Sequence, residues 1–391
     1  MQDSKKTSSR NLKYEKANDV HLFFAKSISS KEAGFPSIGW LCTYTPEELI
    51  IASGFTPIRI MGSKNIYKSE SYFPINYCPY IKAVWEYILT NNKKLRSIIF
   101  TNSCDGMRRL YDVCRKYSPE IPSYMLDVPR INTKDSLDYY ACNLKKLINF
   151  LEKIKGEKIN SSSIEKAAEF VNSKRKLLKE FTSIYMRLPD LINASTYYSI
   201  MELSMTSKPN TFVEDLNKYI NSIKEIAIQK KFLKSVKPNN TPKIMIIGNF
   251  INEEKLWDML SLLDLRLAAD DSCTSSRYFE GFVEMNHNSA PNSNLFILKA
   301  IASRYINKPK CARMSDLGAK LDEIENNISS NSIDGVIFIS LKFCDNTLYF
   351  FPLLKQKLAK LKVPTLFLEL EYNNFSGGQI KTRIQAFLEM L

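Results

Sequence analysis

A short apolar strand, a Cys-Asp pair and a helix follow one another twice in this chain, once in each half. In the first copy, SIIFTNSCDGMRRLY, residues 97–100 form a β-rich apolar run long enough for a buried strand. Met107, Leu110, Tyr111 and Cys114 then recur at helical spacing. In the second copy, GVIFIS at 335–340 runs into LKFCDNT, which puts Cys344 and Asp345 in the setting of Cys104 and Asp105. A strand that turns directly into a helix is half of a βαβ unit, so the pattern points to parallel sheets. Ligand crevices of open α/β sheets lie at the carboxyl ends of the strands. A thiol there faces free backbone N–H groups and the positive end of a helix dipole. Taken alone, such a Cys is more often a buried residue closing a turn. Two copies read better as one site assembled from two α/β halves.

Other segments repeat the theme. GWLCTYTPEELIIASGFTP (39–57) gives a strand over 40–44 and a short helix over 47–52, with Cys42 at the strand end. Thr45 followed by Pro-Glu-Glu has the form of a helix N-terminal cap. A strand is expected over 55–60, and Cys78 precedes a Pro that opens a helix over 80–89. SYMLDVPR (123–130) is a further strand, and 135–155 is a long amphipathic helix containing Cys142. Cys114 and Cys142 fall inside helices and read as core or helix-face residues. Residues 161–235 are helical in pattern with a break at Arg187-Leu-Pro-Asp.

The second α/β region opens with KIMIIG (243–248), and Cys273 follows its next strand in DDSCTSSRYFEG beside Arg277. Cys311 lies in a Pro-containing loop, and TLFLEL (365–370) is a last strand ending at Glu371. Gly377, Gly378 and Gln379 open the final helix with a turn able to cradle a phosphate, a weak motif by itself.

At 391 residues the chain exceeds one ordinary core. The expected organisation is a lead-in (1–35), a first α/β domain (36–160), a helical segment (161–240) and a second α/β domain (241–391). No apolar run reaches the eighteen or so residues of a membrane span, and the start lacks a signal-peptide core, so a cytoplasmic protein is expected. Eight Cys in that setting favour metal or redox work over disulfides. No CxxC pair occurs, and His21 and His287 are the only histidines, which argues against zinc ribbons and His-based triads. The net charge of +14 permits nucleic-acid binding. The basic runs KRKLLK and KKFLKSVK alternate with apolar residues, however, and read as solvated helix faces. An anionic substrate would welcome the same field.

Six motifs in order, GWLCTYTPEELIIASGFTPIRI, NYCPYIKA, TNSCDGMRRLYDV, DDSCTSSRYFEG, SLKFCDNT and GGQIKTRIQAFLEML, resemble the 2-hydroxyacyl-CoA dehydratase (D-component) family. That family includes benzoyl-CoA reductase-type subunits and double-cubane cluster proteins. The resemblance implies two Rossmann-like parallel-sheet domains with a helical segment between them and an iron–sulfur cluster in the cleft. By motif, Cys78, Cys104 and Cys344 match the ligands of a 4Fe-4S cluster with one iron open. Cys42, Cys273 and Cys311 complete the six thiols that double-cubane members use. Gly377, Gly378, Gln379 and Arg277 are weaker candidates for substrate binding, and no catalytic residue is assigned.

The implied chemistry is a lyase or oxidoreductase reaction of an anaerobic enzyme. One electron from an ATP-hydrolysing iron–sulfur activator passes through the cluster to an acyl-CoA thioester, giving a radical that expels hydroxyl. The implied partners are a homologous second subunit or a second copy, with no nucleic acid and no membrane. The alternatives within the family are a double-cubane reductase acting on small molecules and a non-catalytic cluster-bearing subunit. Glu371 stands where relatives often have Asp, and Ser275 where Gly is usual.

Overall fold

The computed structural model describes residues 36–91, 94–229, 241–285, 294–371 and 375–391. The expected lead-in over 1–35 and the 230–240 end of the helical segment lie outside the described residues. Eight strands form two parallel sheets among the described residues. The first contains β1 (Ser37–Trp40), β2 (Thr56–Arg59), β3 (Leu95–Thr101) and β4 (Ser123–Leu126), in the order β2-β1-β3-β4. The second contains β5 (Lys243–Gly248), β6 (Arg266–Asp271), β7 (Gly335–Leu341) and β8 (Thr365–Leu370), in the order β6-β5-β7-β8. Both halves therefore place their first strand beside their third. The point where chain order reverses, between β1 and β3 and between β5 and β7, is where such sheets open a crevice.

Period-two alternation explains how the second sheet is covered. Ile337, Ile339 and Leu341 of β7 face a core shared with the first half. Val336 and Phe338 point the other way, into a separate cluster with Ile324, Ile328, Leu354 and Leu358. The shared core holds β1 and β3 residues such as Trp40, Ile98 and Phe100 together with Ile244 and Ile246 of β5. Close approach at the switch point demands glycine at one position. A Cβ on Gly248 would stand 2.6 Å from the carbonyl oxygen of Ile339.

The helices Ser161–Arg187, Ala194–Thr206 and Pro209–Gln229 occupy the described part of the segment between the sheets. The first of them packs on the helix Glu47–Ala52 and on the helix Asn294–Asn307, so it touches both halves. The basic run on this helix is also not a solvated face throughout, because Lys174 and Arg175 are buried. The first strand ends at Trp40, earlier than the apolar run implied. Beyond it the chain turns, with Thr45 N–H donating to the Cys42 carbonyl at 2.8 Å. Thr43 is drawn inward by Lys308, whose Nζ donates to its carbonyl and hydroxyl oxygens at 2.9 and 2.7 Å.

Candidate metal centre

Three thiols stand at helix starts. Cys78 precedes the helix Pro79–Asn91, and Pro79 there gives up no amide hydrogen bond. Cys104 caps the helix Asp105–Tyr117, its Sγ accepting the Met107 amide at 3.4 Å. Cys344 caps the short helix Asp345–Leu348 just past β7. Phe343 before it has φ of 60°, an uncommon conformation for an aromatic residue, and this reversal aims Cys344 away from the strand line.

The other three come from turns and loops. Cys42 follows β1, and Cys273 follows β6 with its amide donating to the Asn249 carbonyl at 3.0 Å. Cys311 lies between the helices Asn294–Asn307 and Leu317–Asn331, its thiol 3.5 Å from the Asn249 side-chain oxygen. All six line one cavity between the sheets, of about 100 Å³. A single water needs roughly 10–15 Å³, so the space suits a group of several atoms. Leu41, Ile81, Met107, Phe250 and Leu341 supply an apolar wall.

Burial, and then the neighbouring Cys344, pushes the Cys78 thiol well up from its ordinary range. Burial likewise raises Cys104 to about 11, against the help of the Met107 amide, and raises Cys344. Among the described residues, no three His, Cys, Asp or Glu side chains gather closely enough to hold a single metal ion. The thiols are spread around the wall of the cavity.

Cations surround this wall without matching carboxylates. Arg59, Lys308 and Arg313 are buried, and none has an ion-pair partner among the described residues. Lys308 also donates to the Arg277 carbonyl at 3.0 Å, and burial together with Arg304 holds its pKa well below the ordinary lysine value. Arg313 donates to the Val128 carbonyl at 2.9 Å. Part of the chain's excess positive charge is therefore internal, which weakens its reading as a nucleic-acid face.

The weaker substrate candidates sit elsewhere. Arg277 is buried, with Asp271, the Gly248 carbonyl and Asn249 as partners at 2.7, 2.6 and 3.0 Å. Gly377, Gly378 and Gln379 start the helix Gly377–Leu388 and do not line the thiol cavity. Ser275 donates to Asp270 at 2.5 Å, and Glu371 pairs with Lys342 on the surface. Cys114 is fully buried and Cys142 exposed, both away from the cavity.

Sequence reasoning missed the second role of Pro46-Glu47-Glu48. Thr45 makes no cap, since its hydroxyl is buried without a partner and Pro46 takes the cap position. Both glutamates are buried instead. Glu47 pairs with Lys174 at 3.2 Å and accepts from Tyr278 at 2.7 Å. Glu48 pairs with Arg175 at 2.6 Å and accepts from Tyr305 at 2.8 Å. Two charges opening a helix whose residues are otherwise apolar were the available signal. A second cavity of about 510 Å³ is bordered by Ser199, Glu202, Trp257 and Lys64. Its Ile251 and Thr274 follow Phe250 and Cys273 of the thiol cavity in sequence.

Among the described residues, no helix is long and apolar enough to cross a membrane. Over 92% of its length the chain is 25% identical to the (R)-phenyllactyl-CoA dehydratase beta subunit of Clostridium sporogenes, covering 93% of that protein. It is 24% identical to one of the benzoyl-CoA reductase subunits of Thauera aromatica, with 94% of this chain and 93% of that one aligned. The (R)-2-hydroxyglutaryl-CoA dehydratase subunit beta of Acidaminococcus fermentans is also 24% identical, over 92% of this chain and 94% of its own. Residues 42–391, which begin at the first cavity thiol just past β1 and run through the whole of the second sheet, match one family throughout, and the chain belongs to the 2-hydroxyglutaryl-CoA dehydratase, D-component family.

Proposed function

We propose that this protein is the iron–sulfur subunit of a 2-hydroxyacyl-CoA dehydratase-like or benzoyl-CoA reductase-like enzyme. The observation that carries the reading is the meeting of six thiols from both halves at one cavity where the two switch points face each other. The donor chemistry fits. Soft thiolates select iron–sulfur centres, zinc or copper(I), and thiols too dispersed for one ion suit a polynuclear cluster. The unmatched buried cations fit as well, because thiolate ligands carry negative charge into the cavity and offset the cost of burying Arg59, Lys308 and Arg313.

Cys78, Cys104 and Cys344 are the first set of ligands, and Cys42, Cys273 and Cys311 the set available to a larger or second cluster. When bound, the cluster supplies low-potential one-electron transfer and Lewis acidity. The protein's own part is to hold and shield it. The Met107 amide steadies the Cys104 sulfur, and the apolar wall keeps water away from the ligands. The 510 Å³ cavity has the volume of a small-molecule site, and its lining residues Ile251 and Thr274 are next in sequence to Phe250 and Cys273 of the thiol cavity, which suits an acyl thioester approaching from that side. Relatives named as beta subunits support a homologous second subunit, and the family resemblance supports an ATP-hydrolysing activator as electron donor.

Anaerobic purification or reconstitution with iron and sulfide assays tests the reading. Single Ala variants of Cys78, Cys104 and Cys344 should lose iron while keeping the far-UV spectrum of the parent. Full iron in all three would overturn the ligand assignment.

A further inference from the structure

The thiols of the cavity are not supported alike. Cys104 and Cys344 cap helices, and Cys78 immediately precedes one, so each stands where backbone amides are free. Cys273 instead receives a guanidinium. Nη2 of Arg59 lies 3.2 Å from the Cys273 sulfur, and Nη1 of the same fork donates to the Cys273 carbonyl. Nη1 also lies 3.1 Å from the Met205 sulfur. The rings of Trp40 and Phe250 hold the guanidinium, with centroids 5.3 and 5.4 Å from its carbon. Arg59 is 2% exposed, and no carboxylate among the described residues pairs with it. A buried arginine without a carboxylate, sandwiched by two aromatic faces and forked onto one Cys, is expensive unless a negative charge forms beside it.

Resting on the iron–sulfur reading above, we propose that Arg59 is a positioning residue that fixes Cys273 in the wall and raises the reduction potential of the bound centre. Arg59 ends β2 of the first sheet and Cys273 follows β6 of the second, so the contact spans the cleft. Adding one electron makes a thiolate-bound centre one unit more negative. A fixed cation held against a sulfur of the same cavity wall stabilises that reduced state over the oxidised one, whether or not that sulfur is itself a ligand. No proton need move, because guanidinium stays charged at any working pH. The bidentate grip also keeps the sulfur facing the cavity in both redox states.

The test is an anaerobic redox titration, with titanium(III) as reductant and electron paramagnetic resonance as readout, on iron-loaded wild type, Arg59→Gln and Arg59→Lys. Arg59→Gln removes the charge and should move the midpoint to more negative potential at unchanged iron per chain. Arg59→Lys keeps the charge but not the fork, and should recover only part of the shift. A Gln variant with wild-type iron and wild-type midpoint overturns the proposal. Should that variant not fold, an unshifted midpoint in Arg59→Lys overturns it equally. Wild type that takes up no iron is a different failure, since it refutes the iron–sulfur reading on which this role rests.

Discussion

Arg175 Nη2 sits 2.6 Å from Glu48 Oε1, and both side chains are shut away from water. Glu48 lies in the first turn of the short helix Glu47–Ala52 in the first sheet's half, and Arg175 lies midway along the long helix between the sheets. Tyr305, from a helix of the second half, bonds to both, at 2.8 Å to Glu48 and 3.2 Å from Arg175. Three parts of the chain thus meet on one carboxylate, and the walls of the cleft are tied together behind the thiols. Desolvating these charges is costly, so the pair contributes specificity of assembly more than net stability.

Breaking the pair from one side should nevertheless be severe. Arg175→Met leaves Glu48 buried and short of its strongest partner, which should cost about 3–5 kcal/mol of unfolding free energy. Urea unfolding of the variant against wild type measures this. A loss below about 1 kcal/mol, the scale of an exposed pair, would show that the carboxylate finds water or another partner.

Acid should loosen the same contact. Burial by itself would raise the Glu48 pKa, but Arg175 and then Arg304 outweigh it and hold the carboxyl below the usual glutamate range. A group depressed in the folded state stabilises fully above its unfolded pKa, about 4.3 for glutamate, and the contribution disappears as pH falls through the lower folded value. Thermal melts of wild type and Glu48→Gln should therefore differ most near neutral pH and draw together below roughly pH 4. A gap that stays constant across the acid range would contradict the assignment.

Much of the fold was legible because its signals are local. Apolar runs bounded by turn residues located β5 and β8 with their observed ends, and the strand-to-helix repeat around Cys104 and Cys344 marked the switch points. What stayed hidden depends on partners distant in sequence. Pro46-Glu47-Glu48 spells a helix start whether its carboxylates face water or Lys174 and Arg175, which lie 127 residues further on. Arg59 reads as one charged residue ending a strand, and its contact with Cys273 spans 214 positions. KRKLLK looked solvated because an amphipathic helix between two packed layers shows the same alternation as one on a surface.

The two helical thiols should be dispensable for metal. Cys142 is exposed, and Cys142→Ser should leave both iron content and stability unchanged. Cys114→Ala removes a fully buried sulfur and should cost about 1–2 kcal/mol in stability with no change in iron per folded chain. Iron lost from either variant at retained fold would place a ligand outside the cavity described above.

The larger cavity invites a steric test. Ser199 lies on its wall, one polar position of the helix Ala194–Thr206. Ser199→Tyr should raise KM for an acyl-CoA substrate, by about tenfold for a loss of 1.4 kcal/mol in binding, at unchanged iron content. Unaltered KM and kcat would place the substrate elsewhere.

Iron per chain tests the central claim most directly, that six cysteines of two α/β halves form one cluster site. Protein prepared without oxygen should be brown and carry about four irons with matching sulfide for one cubane, or about eight for two. Cys273→Ala then separates the cases, losing roughly half the iron at retained fold if a second cluster is present and none if there is one. Colourless protein that takes up no iron or sulfide under reconstitution, with its fold intact, would contradict the account.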